Sequence, residues 1–137
     1  MTTNPYLFFD GRCTEALEFY TATLGAQILM TVPYSASPDN SQNPPGSEGK
    51  IMHARFTVGS GVIMATDGHC AGKPQFEGFA LSLGVTTTDD AARYFNALAD
   101  GGAVRMPLEK TFFSPAFGMV VDKFGVLWMV MTEPAAP

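Results

Sequence analysis

Asp122-Lys123-Phe124-Gly125-Val126-Leu127-Trp128-Met129 is a turn followed by a strand. Asp and Gly punctuate the turn, and Val126 to Met131 is a bounded run of six apolar residues. Sixty-four residues earlier, Gly61-Val62-Ile63-Met64 has the same order. A second pair, Phe19-Tyr20 and Tyr94-Phe95, lies at an offset of 75. Matched landmarks at nearly fixed offsets mark a duplicated unit. The difference of 11 residues places an insertion between helix and hairpin in the first copy, where Ser35 to Gly49 holds four Ser, three Pro, two Gly and two Asn.

Working outward, each copy reads βαβββ. In the first, the expected elements are a strand at Tyr6–Phe9, a helix from Cys13 to Leu24 and strands at Gln27–Val32, Ile51–Val58 and Val62–Thr66. The helix rests on Cys13, Ala16, Leu17, Tyr20 and Leu24, which recur on one face of a 3.6-residue period, with Gly25 as its stop. In the second, the expected elements are a strand at Phe79–Val85, a helix carrying Ala91, Ala92, Phe95, Leu98 and Ala99, and strands at Ala103–Met106, Phe117–Val121 and Val126–Thr132. Pro134 to Pro137 reads as a frayed tail. Ser35 to Gly49 cannot bury enough apolar area to offset its ordering entropy, so it is expected to be the most mobile internal segment and a flap over the first module's cavity.

One four-stranded sheet with a single helix leaves a face bare, and two such units can curve their sheets around a shared cavity with the helices outside. The expected fold is α+β: two tandem βαβββ modules, about 4–67 and 76–133, related by a pseudo-two-fold within a single domain spanning 1–137. Composition agrees with a packed chain, since 46% of its 137 residues are hydrophobic and 15% charged, against about 25% charged in typical soluble domains. The net charge of −5 repels a phosphate backbone, so nucleic acid is not expected as a partner. Six apolar residues fall far short of the roughly 20 of a membrane span. Met1 to Asp10 has no Lys or Arg and so lacks the charged start of a secretory signal, which gives a cytoplasmic expectation. Cys13 and Cys70 match no short-spaced zinc pair and are expected to be free thiols. Eight Met and eleven Phe leave apolar surface that calls for a homodimer.

The ordered landmarks Glu15-Ala16-Leu17-Glu18-Phe19-Tyr20, Leu24-Gly25, Lys50-Ile51-Met52-His53-Ala54, Gly102, Met106-Pro107-Leu108-Glu109 and the opening octapeptide resemble the vicinal oxygen chelate superfamily. That superfamily includes glyoxalase I, extradiol dioxygenases and the bleomycin and fosfomycin resistance proteins, and the PhnB-like branch is the most similar. The resemblance covers Tyr6 to Thr132.

The resemblance implies four metal-ligand positions on cavity-facing strands, which fall at Pro5 or Tyr6, His53, Phe79 and Met129. A divalent ion needs three or four converging donors, and only His53 is a good one. The expectation is therefore no metal and no cofactor. Period-2 alternation puts Ile51, His53, Arg55 and Thr57 on one face of their strand. His53 reads as an interior histidine satisfied by a neighbour, as a pocket contact or general base, or as a metal ligand, and these readings stay open. Arg55 either pairs with an anionic ligand group or reaches solvent. Phe79, Leu81, Leu127, Met129 and Met131 are expected to share the cavity face with His53 and Arg55. His69-Cys70 reads as a surface turn.

No P-loop, nucleophile elbow or dinucleotide fingerprint is present, because Gly59-Ser60-Gly61 joins two strands and opens no helix. No Gly-rich motif for S-adenosylmethionine appears either. Three functions remain: a metal-independent binder of an unidentified small molecule, a metal-dependent lyase, isomerase or dioxygenase, and a drug-sequestering resistance protein. Whether the chain is an enzyme is left open.

Overall fold

Hydrophobic periodicity and turn chemistry produce the repeat. A computed structural model describes residues 1–39, 42–68 and 74–133. It divides the chain into two compact units, Met1–Pro74 and Gln75–Pro137. The His69-Cys70 and Pro134–Pro137 readings, and Asn40-Ser41 of the long loop, lie outside the described residues.

The first unit runs β1 (Tyr6–Phe8), α1 (Cys13–Leu24), β2 (Gln27–Pro33), β3 (Ile51–Val58) and β4 (Gly61–Thr66). Its sheet has the order β1-β4-β3-β2, with β1 parallel to β4 and the other pairs antiparallel. The Cys13–Ala16–Leu17–Tyr20–Leu24 stripe is buried, and Tyr20 stacks on Phe56 of β3 with ring centroids 6.0 Å apart. Gly25 ends α1 at φ 67°, a left-handed position that glycine adopts at no steric cost.

No side chain of its own turn caps α1. Asp67, just beyond β4, does so from 54 residues away: its Oδ1 accepts from the Cys13 and Gly11 amides, both at 2.8 Å. Its Oδ2 accepts from the Ile51 amide at 2.8 Å. The carboxylate is buried and satisfied by these three backbone donors.

The second unit runs β5 (Leu81–Val85), α2 (Thr88–Ala99), β6 (Ala103–Glu109), β7 (Phe117–Val121) and β8 (Leu127–Thr132), in the sheet order β5-β8-β7-β6. Here the helix is capped locally, Thr87 Oγ1 accepting from the Asp90 amide at 3.0 Å. A second buried aspartate, Asp122, accepts from the Phe124 and Val126 amides and, through Oδ2, from the Trp128 indole at 2.9 Å. The turn between β7 and β8 is built on this carboxylate.

The repeat is present, with α2 displaced from α1 by the expected 75 residues at both ends. The hairpin offset needs correction. Leu7 pairs with Ala65 on the helix-facing side of the first sheet, and Leu83 pairs with Val130 on that side of the second. Ala65 therefore corresponds to Val130, at an offset of 65 rather than 64, and Ile63 to Trp128. The reason is the turn: two residues, Gly59 and Ser60, separate the paired Val58 and Gly61, whereas Asp122 to Val126 separates Val121 and Leu127.

Two element boundaries also move. β5 begins at Leu81, which leaves Phe79 ahead of the strand. β6 extends through Pro107 to Glu109, as an edge strand can, because its outer amides need no ladder partner.

Replacing Asp67 by alanine strands the buried Cys13 amide and the part-buried amides of Gly11 and Ile51. The expected loss is about 3 kcal/mol or more in denaturant unfolding. A loss under about 1 kcal/mol would show that the carboxylate does not hold the first unit together.

Candidate functional site

β1 alternates cleanly: Leu7 points into the helix layer, while Tyr6 and Phe8 stand on the bare face, 38% and 54% exposed. The register places Tyr6 beside Met64 and Met64 beside Arg55, so these share one row across that face. Phe8 pairs with Thr66, whose hydroxyl donates to the Met52 carbonyl at 2.7 Å. The expected face of β3 is confirmed, Ala54, Phe56 and Val58 being buried on the helix side.

An open cavity of about 740 Å³ lies against this face. Tyr6, Phe8, Tyr34, Pro44 and Pro45 supply apolar walls, and Gln42, Asn43, Thr66 and Gly68 supply polar groups. Its far wall comes from the Ser/Pro-rich loop, which begins with a single 3-10 turn at Tyr34–Ala36. Asn43 donates to the Tyr34 carbonyl at 3.0 Å, Ser47 is buried, and the Tyr34 hydroxyl donates to the Gly68 carbonyl. The described parts of the loop are thus tied to β2 and to the end of β4, and residues 42–45 form a wall of the cavity.

His53 stands at the side of this cavity, its Nδ1 2.8 Å from the Tyr6 hydroxyl and the two rings tilted at 32°. Burial, and to a smaller degree the neighbouring Cys13 and Tyr34, hold the Tyr6 phenol above its usual pKa, so it is protonated in the neutral range. The contact fits either direction: a phenol that donates to Nδ1 leaves the ring proton on Nε2, and a phenol that accepts from Nδ1–H leaves Nε2 as an acceptor. Arg55 is exposed and makes no ion pair among the described residues.

Phe79 and Leu127 come together in the second unit, lining a smaller cavity of about 420 Å³ with Phe76 and Arg105. The Phe79 ring meets Phe76 edge-on at 6.5 Å. Met129 shares the face of Leu127 but pairs with Ser82 and Met119. Leu81 pairs with Trp128 and so faces α2. Its expected place on the Met129 face is corrected by this pairing with the buried Trp128. Ser82, opposite Met129, stands in the second unit where Tyr6, opposite Met64, stands in the first.

The metal implied by the resemblance does not fit these residues. Of the implied positions only His53 offers a good donor, since the Tyr6 hydroxyl is hydrogen-bonded to that imidazole, Phe79 has no donor atom and Met129 offers only a thioether. Among the described residues no three His, Cys, Asp or Glu side chains gather closely enough to hold an ion.

Sequence reasoning missed Phe8, Tyr34 and Asn43 as cavity walls. The signals were available: Phe8 is two residues from Tyr6 on a period-2 strand, and Tyr34 is the last aromatic before the Ser/Pro-rich loop.

Two repeated βαβββ units with these sheet orders define the glyoxalase, bleomycin resistance and dioxygenase fold of the vicinal oxygen chelate superfamily. Structures titled with those names share that fold. Within it, the chain belongs to the PhnB-like family described as 3-demethylubiquinone-9 3-methyltransferase, which matches residues 2–131. It is 35% identical over 145 residues to protein YjdN of Escherichia coli K12, covering 100% of this chain and 99% of that protein. The crystal structure of protein PA1353 from Pseudomonas aeruginosa matches with 44% identity and a TM-score of 0.85, over 97% of this chain and 98% of the other. A Bacillus cereus structure titled a putative 3-demethylubiquinone-9 3-methyltransferase, PhnB protein, matches at 30% identity and a TM-score of 0.81, over 96% and 99%.

Cys13, buried at the start of α1, has its thiol pushed up to about 12, first by burial and then by the Asp67 carboxylate. The folded state therefore binds this proton more tightly than the unfolded chain, whose thiol titrates near 9.0, and stability falls as pH rises from about 9 toward about 12. In a Cys70→Ser background, iodoacetamide at pH 8 is expected to leave Cys13 unmodified until the protein unfolds. Rapid alkylation of the native protein would contradict this burial.

Proposed function

We propose that the chain binds a small, uncharged organic molecule in the first unit's cavity, without a metal. The observation that carries this is the cavity itself: about 740 Å³, within the range of about 300–1,000 Å³ that ligand pockets occupy, with aromatic and proline walls and, among the described residues, no ionised side chain lining it. The Tyr6–His53 pair at its side supplies a directional polar contact for a ligand oxygen. His53, Arg55, Phe79, Leu127 and Met129 belong to the proposal as candidate ligand contacts.

The family description names a methyltransferase. A methyl donor such as S-adenosylmethionine finds no Gly-rich strand-to-helix turn here: β1 passes to α1 through Asp10-Gly11-Arg12, and β5 to α2 through Thr86-Thr87. The donor set described above speaks equally against the metal-dependent lyase, isomerase and dioxygenase readings. Sequestration of a drug-like molecule is the alternative that the same apolar walls also serve. Homodimeric assembly and residence in the cytoplasm complete the proposal. The buried free thiol of Cys13 supports a reducing compartment, and cell fractionation checks it.

The test is titration with the neutral fluorophore N-phenyl-1-naphthylamine in buffer containing EDTA. Saturable binding that EDTA leaves unchanged, and that Phe8→Ala weakens by at least about tenfold, is expected. Metal content should stay at trace level in both the wild type and His53→Ala. Stoichiometric transition metal that disappears in His53→Ala would overturn the metal-free reading.

A further inference from the structure

The bare face of the second sheet carries a row of thioethers. The register sets Met106 of β6 opposite Met119 of β7, Met119 opposite Met129 of β8, and Met129 opposite Ser82 of β5. Val120 and Trp128, their neighbours along β7 and β8, are buried on the side of α2, so Met119 and Met129 lie on the opposite face. Residues directly opposed on adjacent antiparallel strands have Cβ atoms about 4.5–5.5 Å apart. A methionine spans that gap through three rotatable bonds. Met106 is exposed, and Met119 and Met129 are half-buried, which leaves the row within reach of solvent.

The third place in the row depends on a bulge. Val104 pairs with Val120 and Met106 with Met119, so Arg105 is the extra residue of β6. Without that extra residue a guanidinium would stand opposite Met119. Arg105 instead lines the cavity formed with Val121, Gly125 and Leu127, and a thioether takes the place in the row. The first unit shows the other arrangement. Its row through Met64 runs Met30, Arg55, Met64 and Tyr6, and there an arginine separates the two thioethers.

Three adjacent thioethers have a narrow chemistry. They are soft, neutral donors that suit Cu(I), and they hold hard or borderline divalent ions poorly. β5, β7 and β8 carry no ionisable side chain. The charged groups nearest the row in sequence and cavity are Arg105 and Glu109 of β6, Lys110 after it, and Glu77 beside Arg105. These two positive and two negative groups leave no net charge to oppose a monovalent ion, so the sulfur donors decide what binds.

We propose that Met106, Met119 and Met129 form a binding site for a soft monovalent cation of the Cu(I) class. This goes beyond the reading of the first unit's cleft and does not depend on it. Neutral thioethers hold such an ion more loosely than thiolates do, so protein purified without added soft ion is expected to carry none.

The probe is Ag(I), a redox-stable ion of the same soft class, added as the nitrate in chloride-free buffer. It is titrated into the full chain in the Cys70→Ser background, where the remaining thiol, Cys13, is buried. In NMR spectra of methyl-labelled methionine, saturable binding is expected to shift the signals of Met106, Met119 and Met129 together and to leave those of Met30 and Met64 in place. Met119→Leu conserves volume and is expected to keep the wild-type circular dichroism spectrum. It is expected to weaken binding at least about tenfold, as disturbing a metal site commonly does. Affinity should be equal at about pH 6 and about pH 8, because a thioether has no proton to lose, whereas imidazole and thiolate sites strengthen as pH rises. The wild-type methyl shifts decide the matter even where a variant unfolds. No saturable binding, equal shifts at Met30 and Met64, an affinity that rises with pH, binding lost in His53→Ala, or a folded Met119→Leu that binds as the wild type does would each overturn the proposal.

Discussion

The first unit depends on one buried carboxylate. Asp67 gathers the amides of Gly11, Cys13 and Ile51, joining the entry to α1, the start of β3 and the end of β4 at a single point. A hydrogen bond to a charged group contributes about 1.5–3 kcal/mol, and an amide left unpaired in the interior costs a comparable amount. The geometry is therefore closely constrained: β1 must end where its turn can reach Asp67, which sets Tyr6 and Phe8 on the bare face beside Met64 and Thr66. The cavity wall follows from that placement, and the Tyr34 hydroxyl on the Gly68 carbonyl fastens the opposite wall to the residue after Asp67.

The second unit meets the same topological demand differently. Its helix is capped by Thr87, within its own turn, and its buried aspartate organises the β7–β8 turn and holds the Trp128 indole. Lengthening that turn shifted the hairpin by one residue against the first copy. In a β-strand a one-residue shift exchanges the two faces. That is how Trp128 becomes a core residue although it aligns in sequence with Met64.

Much of this was legible in the sequence. The helix stripes, the Gly25 stop and the positions of β3 and β7 follow from periodicity and turn residues, and their bounds agree with the structure. The face of β3 that carries His53 was legible for the same reason. What was not legible depends on contacts distant in the chain. Asp67 looks like an ordinary Asp-Gly turn residue until its three donors, up to 56 residues away, are brought to it. The partner of His53 lies 47 residues away on β1, and the walls at Tyr34 and residues 42–45 sit in a segment whose composition announces only a loop. Pro107 illustrates a local rule overridden by position, since it ends a strand in most settings but not on a sheet edge.

The central claim is that the first unit's cleft, and not a metal centre at His53, is where this PhnB-like chain meets its ligand. The most direct measurement is a crystal structure of the protein soaked with N-phenyl-1-naphthylamine, with anomalous data collected at the edges of Zn, Fe, Mn and Ni. The account predicts ordered probe density against Phe8, Tyr34 and Pro44, with the Tyr6–His53 hydrogen bond intact and no anomalous peak beside the imidazole. An anomalous peak bonded to His53 with Tyr6 displaced, or probe density ordered only outside the cleft, would contradict it.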